Sequence, residues 1–281
     1  MNYSESVVTF SCEGEDLIGV ASTPAQPSDC GVVIVVGGPQ YRIGSHRQFV
    51  LLARFLAQQG ITTLRFDYRG MGDSGGTVRD FTRVDRDLRA AVDALQNSNR
   101  KLERIVLWGL CDAASASLFY AHKDPRVVGL VLANPWVRTI AGEAQTYLSH
   151  YYRSRVFNRS FWKKILAGQF DFFASLSSFF VTLKNALFKT SSEDVGPEPP
   201  LREKMYDSWA RFSGKILVLI SGEDLTAKEF TDMLASSPQW RTLLENSRVT
   251  RHDLPEANHT FSREDWTSEV SAVTANWIKA L

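Results

Sequence analysis

One stretch constrains the fold more than any other: Ile105, Val106, Leu107 and Trp108 lead through Gly109 and Leu110 to Cys111, and Asp112, Ala113 and Ala114 follow. The apolar run reads as a buried strand, and the small residues after it read as the first turn of a helix. Gly109 and Ala113, two positions either side of the cysteine, are small enough to let strand and helix approach closely. The pattern predicts a sharp strand-to-helix elbow, G-x-C-x-A in form, at the end of a buried sheet. Taken alone, Cys111 would equally suit an inert core position, because free cysteine is among the most buried residue types.

The surrounding chain supplies a sheet for such an elbow. Residues 7–10 and 17–21 are short β-like runs, separated by a polar, Gly-containing connection at 12–16. Residues 31–36 form a continuous β-branched run, as expected of a strand covered on both faces. A helix over 45–59 follows, with Phe49, Leu52, Ala53, Leu56 and Ala57 at helical spacing and Gly60 as its stop. Strand 61–66, helix 81–95, strand 104–110, helix 111–122 and strand 127–133 continue the alternation, which implies a mostly parallel α/β sheet wound on both faces. The rhythm stops at Asn134-Pro135 and resumes with strand 215–220, helix 227–234, strand 247–254 and a last helix from Ser262. Ser262 and Asp265 have the spacing of an N-cap and its third-position acid. The expected division is a core of 1–135 and 213–281 with a helical cap, 136–212, inserted between strands six and seven.

Bulk composition narrows the partners. A 281-residue chain that is 44% hydrophobic accommodates one α/β domain with an insertion. Lys+Arg 32 against Asp+Glu 31 leaves no net field for nucleic acid or an anionic membrane, so a small-molecule acyl substrate is the expected partner, with a homodimer left open. Cys12, Cys30 and Cys111 have no C-x-x-C spacing, which suggests neither a disulfide framework nor a zinc site. The first residues show no basic segment followed by an apolar one, and the apolar region 170–188 carries Asp171 and Lys184. No integral membrane segment is expected, and the expected compartment is the cytoplasm.

Two further strand ends bear chemistry. Ser221-Gly222-Glu223-Asp224 follows the resumed strand, and Ala257-Asn258-His259-Thr260 follows the next. Cys111, Asp224 and His259 thus stand at three strand ends in the order nucleophile, acid, histidine. His259 would take the thiol proton and later protonate the leaving group, while Asp224 would fix the imidazole tautomer. Glu223 is the alternative acid. His46, His122, His150 and His252 have no comparable setting. The loop of Asp67, Tyr68, Arg69, Gly70, Gly72 and Ser74 reads chiefly as structural, with Asp67 and Arg69 bracing neighbouring loops. Its glycines do not open a helix directly, so no dinucleotide cofactor is indicated.

Together these residues resemble the α/β-hydrolase superfamily over almost the whole chain apart from the insertion, and the expected architecture is the α/β-hydrolase fold. More narrowly, Gly37-Gly38-Pro39-Gln40-Tyr41-Arg42, Asp67-Tyr68-Arg69-Gly70-Met71-Gly72, Gly109-Leu110-Cys111-Asp112-Ala113 and Ser221-Gly222-Glu223-Asp224 resemble the exosortase A system-associated hydrolase 1 family. Members of that family are bacterial proteins linked to exopolysaccharide and protein-sorting gene clusters. The cysteine elbow is also similar to that of dienelactone hydrolases, which use a Cys-His-Asp triad. The resemblance implies a carboxylesterase or thioesterase without cofactor or metal, cleaving an ester, lactone or thioester through an acyl-cysteine. Acyl transfer and noncatalytic ligand binding are the alternatives. It further implies an oxyanion hole formed by the backbone N–H of Asp112 and of Gly38, to which Gln40 could add an amide. Pro39 has no N–H to give.

The insertion carries the expected substrate contacts. Arg138, Arg153, Arg155, Arg159, Lys163 and Lys164 face a single acid, Glu143, between 138 and 164. The cluster is either a solvated face or a receiver for an anionic group. His150, Tyr151 and Arg153 are candidate substrate contacts from the same region. Phe170, Phe173, Phe180, Leu183 and Leu187 have helical spacing suited to packing or to lining an acyl pocket.

Overall fold

The computed structural model describes residues 2–38, 40–137 and 200–281. His150, Tyr151, Arg153, the basic cluster and the aromatic stripe of the insertion lie outside the described residues. By its internal contacts the chain separates into a unit of residues 1–137 and 204–281 and a second unit of 138–203.

The first unit is built on an eight-stranded sheet of order β1-β2-β4-β3-β5-β6-β7-β8. β1 (Tyr3–Cys12) and β2 (Glu15–Pro24) form an antiparallel hairpin. Its two-residue turn has Glu13 at φ 51° and Gly14 at φ 85°, the doubly left-handed turn that matches strand twist. β2 pairs antiparallel with β4 (Thr62–Phe66), and from there every pairing is parallel, through β3 (Cys30–Val35), β5 (Arg104–Leu110), β6 (Val127–Ala133), β7 (Lys215–Glu223) and β8 (Val249–Asn258). β3 and β4 are buried at every position, as a strand covered on both faces must be. The insertion falls between β6 and β7.

Helices α1 (Gln48–Gln58), α2 (Asp85–Ser98), α3 (Asp112–Ala121), α4 (Leu201–Arg211), α5 (Leu225–Ser236), α6 (Pro238–Leu244) and α7 (Glu264–Lys279) complete the described residues. Phe49, Leu52, Ala53 and Leu56 of α1 join the core formed by Val32, Ile34 and Trp108. α1 starts later than the spacing predicts, because His46 (φ 53°) and Arg47 (φ 61°) break the helical backbone. Residues 81–83 form a separate 3-10 turn capped by Asp80, whose Oδ1 accepts from Thr82 N at 2.8 Å. The Ser262–Asp265 capping pair does not form. Arg263 is the N-cap of α7, Asp265 pairs with Arg263, and Ser262 Oγ accepts from Asn258 Nδ2 at 2.7 Å. β7 and β8 run further toward their C-termini than the sequence indicated, to Glu223 and Asn258. α6, led by Pro238 at its first turn, was not anticipated.

The loop after β4 is structural. Arg42 N donates to Asp67 Oδ1 at 2.6 Å, and the Arg42 guanidinium also meets the Asp67 carboxylate. Arg69 reaches the buried Asp87 through Nε and Nη2 at 2.9 and 2.7 Å, and it meets Glu13 of the hairpin turn. Two arginines thereby tie the loops after β3 and β4 to the hairpin and α2.

Candidate active site

The C-terminal ends of β5, β7 and β8 each contribute one candidate residue. Cys111 follows β5 directly, with φ 63° and ψ −124°, a conformation that costs a non-glycine residue about 1–3 kcal/mol. Its neighbours enforce it: Cys111 N donates to Ala133 O at 2.9 Å, and Cys111 O accepts from Trp136 N at 3.2 Å. The close strand–helix approach depends on Gly109, where a side-chain carbon would stand 2.5 Å from Ala113 O. The thiol position is half-buried.

On the β7 side, Asp224 is the N-cap of α5. Its two oxygens accept from Thr226 N and Ala227 N, both at 3.1 Å, satisfying donors that a helix start leaves open. The same carboxylate reaches His259 Nδ1 at 2.8 Å. The neighbouring Glu223 is exposed, so Asp224 is the acid that meets the histidine. With Nδ1 engaged, Nε2 is the ring nitrogen directed away from the acid.

A residue that the sequence reading passed over as a pattern break organises this corner. Asn134 is fully buried, sits at φ 44° just after β6, and spends both ends of its amide on its neighbours. Its Oδ1 accepts from Ser221 N at 2.8 Å, and its Nδ2 donates to Ser221 Oγ at 2.9 Å and to His259 O at 3.2 Å. Ser221 Oγ in turn donates to Asn258 O at 3.0 Å. Asn134 thus links the end of β7 to the histidine loop, and Ala133 beside it holds Cys111 N. An asparagine before a proline at a strand end was the available signal, but its partners are distant in sequence.

The corner where an oxyanion hole was expected is arranged differently. Gly38 N, assigned as a donor to substrate, donates instead to Asp112 Oδ2 at 2.9 Å. Asp112 Oδ1 is buried without a hydrogen-bond partner. Burial pushes the Asp112 carboxyl above its ordinary value, while the N–H groups of Gly38, Ala113 and Asp112 itself pull it down and the Asp80 charge pushes it up. Tyr68, also buried, has its phenol raised well above the ordinary value by burial first and by the Asp112 and Asp87 charges next. Gln40 braces its own loop, its Oε1 accepting from Ser45 N at 3.2 Å. Pro39 lies outside the described residues.

Among the described residues no group of His, Cys, Asp and Glu could hold a metal, and no helix is long and apolar enough to cross a membrane. A parallel sheet with a strained strand-to-helix elbow and an acid–histidine pair on later strands defines a hydrolase-type scaffold. The chain belongs to the alpha/beta hydrolase family, which matches it over residues 32–273.

Solved structures of similar fold include the Pyrococcus furiosus esterase Pf2001, with TM-score 0.68 and 17% identity over 99% of this chain and 91% of that one. Est1E of Butyrivibrio proteoclasticus, solved with ferulic acid, has TM-score 0.63 and 14% identity, covering 97% and 98% of the two chains. The dienelactone hydrolase of Anabaena variabilis has TM-score 0.63 and 14% identity, covering 100% and 99%. In sequence, the polyketide transferase grgF of Penicillium is 30% identical over 90 residues, 31% of each protein. An uncharacterized Pseudomonas aeruginosa protein, PA2218, is 34% identical over 112 residues, 38% of this chain and 29% of that one. The chain therefore spans about three tenths of the length of these two relatives.

Proposed function

We propose that this protein is a cysteine-dependent acyl hydrolase acting on an ester, lactone or thioester. His259 Nε2 takes the Cys111 thiol proton as Sγ attacks the substrate carbonyl carbon, and the same proton goes to the departing alkoxide or thiolate. Water then attacks the acyl-cysteine with His259 as base, releasing a carboxylic acid and restoring the thiol. Asp224 keeps the imidazole in the tautomer this cycle needs. The observation that carries the reading is the 2.8 Å pair between Asp224 Oδ2 and His259 Nδ1, just past the ends of two strands that follow the Cys111 elbow in chain order.

The motifs around Gly38, Asp67, Cys111 and Asp224 favour a bacterial cytoplasmic enzyme of the exosortase A system-associated hydrolase 1 type, working on an exopolysaccharide-linked acyl compound. In this reading the 136–212 insertion is a cap that selects substrate through His150, Tyr151 and Arg153, and Gln40 contributes from the core. A homodimer is the proposed assembly, to be checked by sedimentation.

Intact-mass analysis after exposure to p-nitrophenyl esters and acyl thioesters tests the chemistry. An acyl adduct on Cys111 that is absent from Cys111→Ala is expected. No adduct at several acyl lengths, together with no iodoacetamide labelling of Cys111, would show a noncatalytic binding protein instead. The local similarity to a polyketide transferase favours acyl transfer to an alcohol or amine as the second reading. Product analysis with a competing acceptor separates the two.

A further inference from the structure

We propose that the Asp112 side chain is a built-in gate of the oxyanion hole: it holds the Gly38 N–H in the resting protein and must release it before a substrate carbonyl can be polarised there. The inference rests on the acyl-cysteine reading above.

The geometry is specific to this site. Asp112 is the first residue of α3, so its own N–H is one of the two donors that an oxyanion would use. Its carboxyl group turns back across the other, with Gly38 N donating to Oδ2 at 2.9 Å. A side-chain carbon at Gly37 would collide with Asp112 Oδ1 and stand 3.0 Å from Ala113 N, so the carboxyl lies between the 37–38 loop and the first turn of α3. An oxyanion would have to develop in that same space. One N–H carries one proton and bonds well to one acceptor at a time. A charged carboxylate in that position therefore competes for the donor and repels the negative charge that catalysis creates.

The surroundings leave the carboxyl incompletely satisfied. Oδ1 is buried without a hydrogen bond, and so is the Tyr68 hydroxyl from the segment after β4. Asp80, from the turn ahead of α2, adds repulsion. Among the described residues no arginine or lysine pairs with Asp112. Within the same residues its one hydrogen bond to a neighbouring segment is with Gly38 N–H, and the N–H groups of Asp112 and Ala113 at the start of α3 act on the same carboxyl. The raised carboxyl value has a consequence: as the uncharged acid, Asp112 is a weaker acceptor and does not repel an oxyanion, so the gate tightens as pH rises.

The test is pre-steady-state acylation of Cys111 by p-nitrophenyl acetate, read as the p-nitrophenolate burst and as intact mass, for wild type, Asp112→Asn and Asp112→Ala. Rates are taken as variant-to-wild-type ratios between about pH 5 and pH 8, each normalised to that protein's own thiolate fraction from iodoacetamide labelling of Cys111, because removing a neighbouring carboxylate shifts the thiol. Both variants are expected to acylate faster at the alkaline end, by about tenfold, on the order of one charge-assisted hydrogen bond. The ratio should be smaller at the acid end than at the alkaline end, the direction that the raised carboxyl sets. Ratios at or below one throughout would overturn the gate and make Asp112 a brace of the 37–38 loop. Asp112→Asn, nearly isosteric, keeps the test valid if Asp112→Ala folds poorly. If wild type forms the adduct and the ratios stay at or below one, the gate alone falls. If no protein forms an adduct, the acyl-cysteine reading falls and takes the gate with it.

Discussion

Compare the β7–β8 corner with the corner between β3 and α3. In the first, Asp224 already holds His259 Nδ1 at 2.8 Å, two helix N–H groups hold Asp224, and Asn134 holds the histidine carbonyl. In the second, the Gly38 N–H that catalysis would need is occupied by the protein's own Asp112, whose other oxygen is buried with no partner. In the first corner the Asp224 carboxylate, His259 Nδ1, the Asn134 amide and Ser221 all have partners, so holding them in place costs little further ordering. The second corner carries an unsatisfied acceptor, which stores a penalty that movement or protonation would relieve. On the proposed reading, the proton-transfer groups and the oxyanion donors are prepared to different degrees.

The largest expected effect probes the completed corner. His259→Ala should lower kcat/KM by about a thousandfold, within the range seen for loss of a positioned general base. Asp224→Ala should cost less, about ten- to a hundredfold, because thiolate and imidazolium attract each other without help from the acid. Equal losses in the two variants, both shown folded by circular dichroism, would mean that the acid matters as much as in a serine triad.

Asn134→Ala comes next and asks whether the corner is positioned or merely filled. Leaving Ser221 N and His259 O without their partner should cost about 1–3 kcal/mol in urea unfolding. A fall in kcat of about tenfold with a displaced limb in the pH–rate profile would show that Asn134 sets the histidine loop. A stability loss with an unchanged profile would reduce it to packing.

The smallest effect concerns stability at the other corner. The Asp112 carboxyl is held above its ordinary value, so its contribution to stability is intact in acid, below the unfolded value of 3.8, and is lost as pH rises through the folded value. Asp112→Asn removes that loss. Its Tm should match wild type in acid and exceed it near neutrality. A Tm below wild type near neutrality would show that the Gly38–Asp112 bond is worth more than the buried charge costs.

Much of this was legible in the chain. β5 and β6 fall on the residues their apolar runs indicate, because a strand covered on both faces has to be apolar throughout. The order Cys111, Asp224, His259 was also legible, since parallel strands put all their C-terminal ends on one side. Choosing between Glu223 and Asp224 was not. That choice depends on where β7 ends and α5 begins, and adjacent carboxylates differ only once the helix start captures one of them. Asn134 escaped notice for a related reason: its partners lie 87 and 125 residues away in sequence.

By itself, then, the sequence determined the mostly parallel α/β sheet, the strand-to-helix elbow at Cys111 and the strand ends that carry Asp224 and His259, because hydrophobic periodicity and small-residue spacing are local properties that survive in one dimension. Only the tertiary structure decided which acid meets His259, that Asn134 ties that corner together, and that Asp112 lies across Gly38 N–H. Each of those outcomes is a contest for a hydrogen bond between groups far apart in the chain, and such contests are settled by distance and burial.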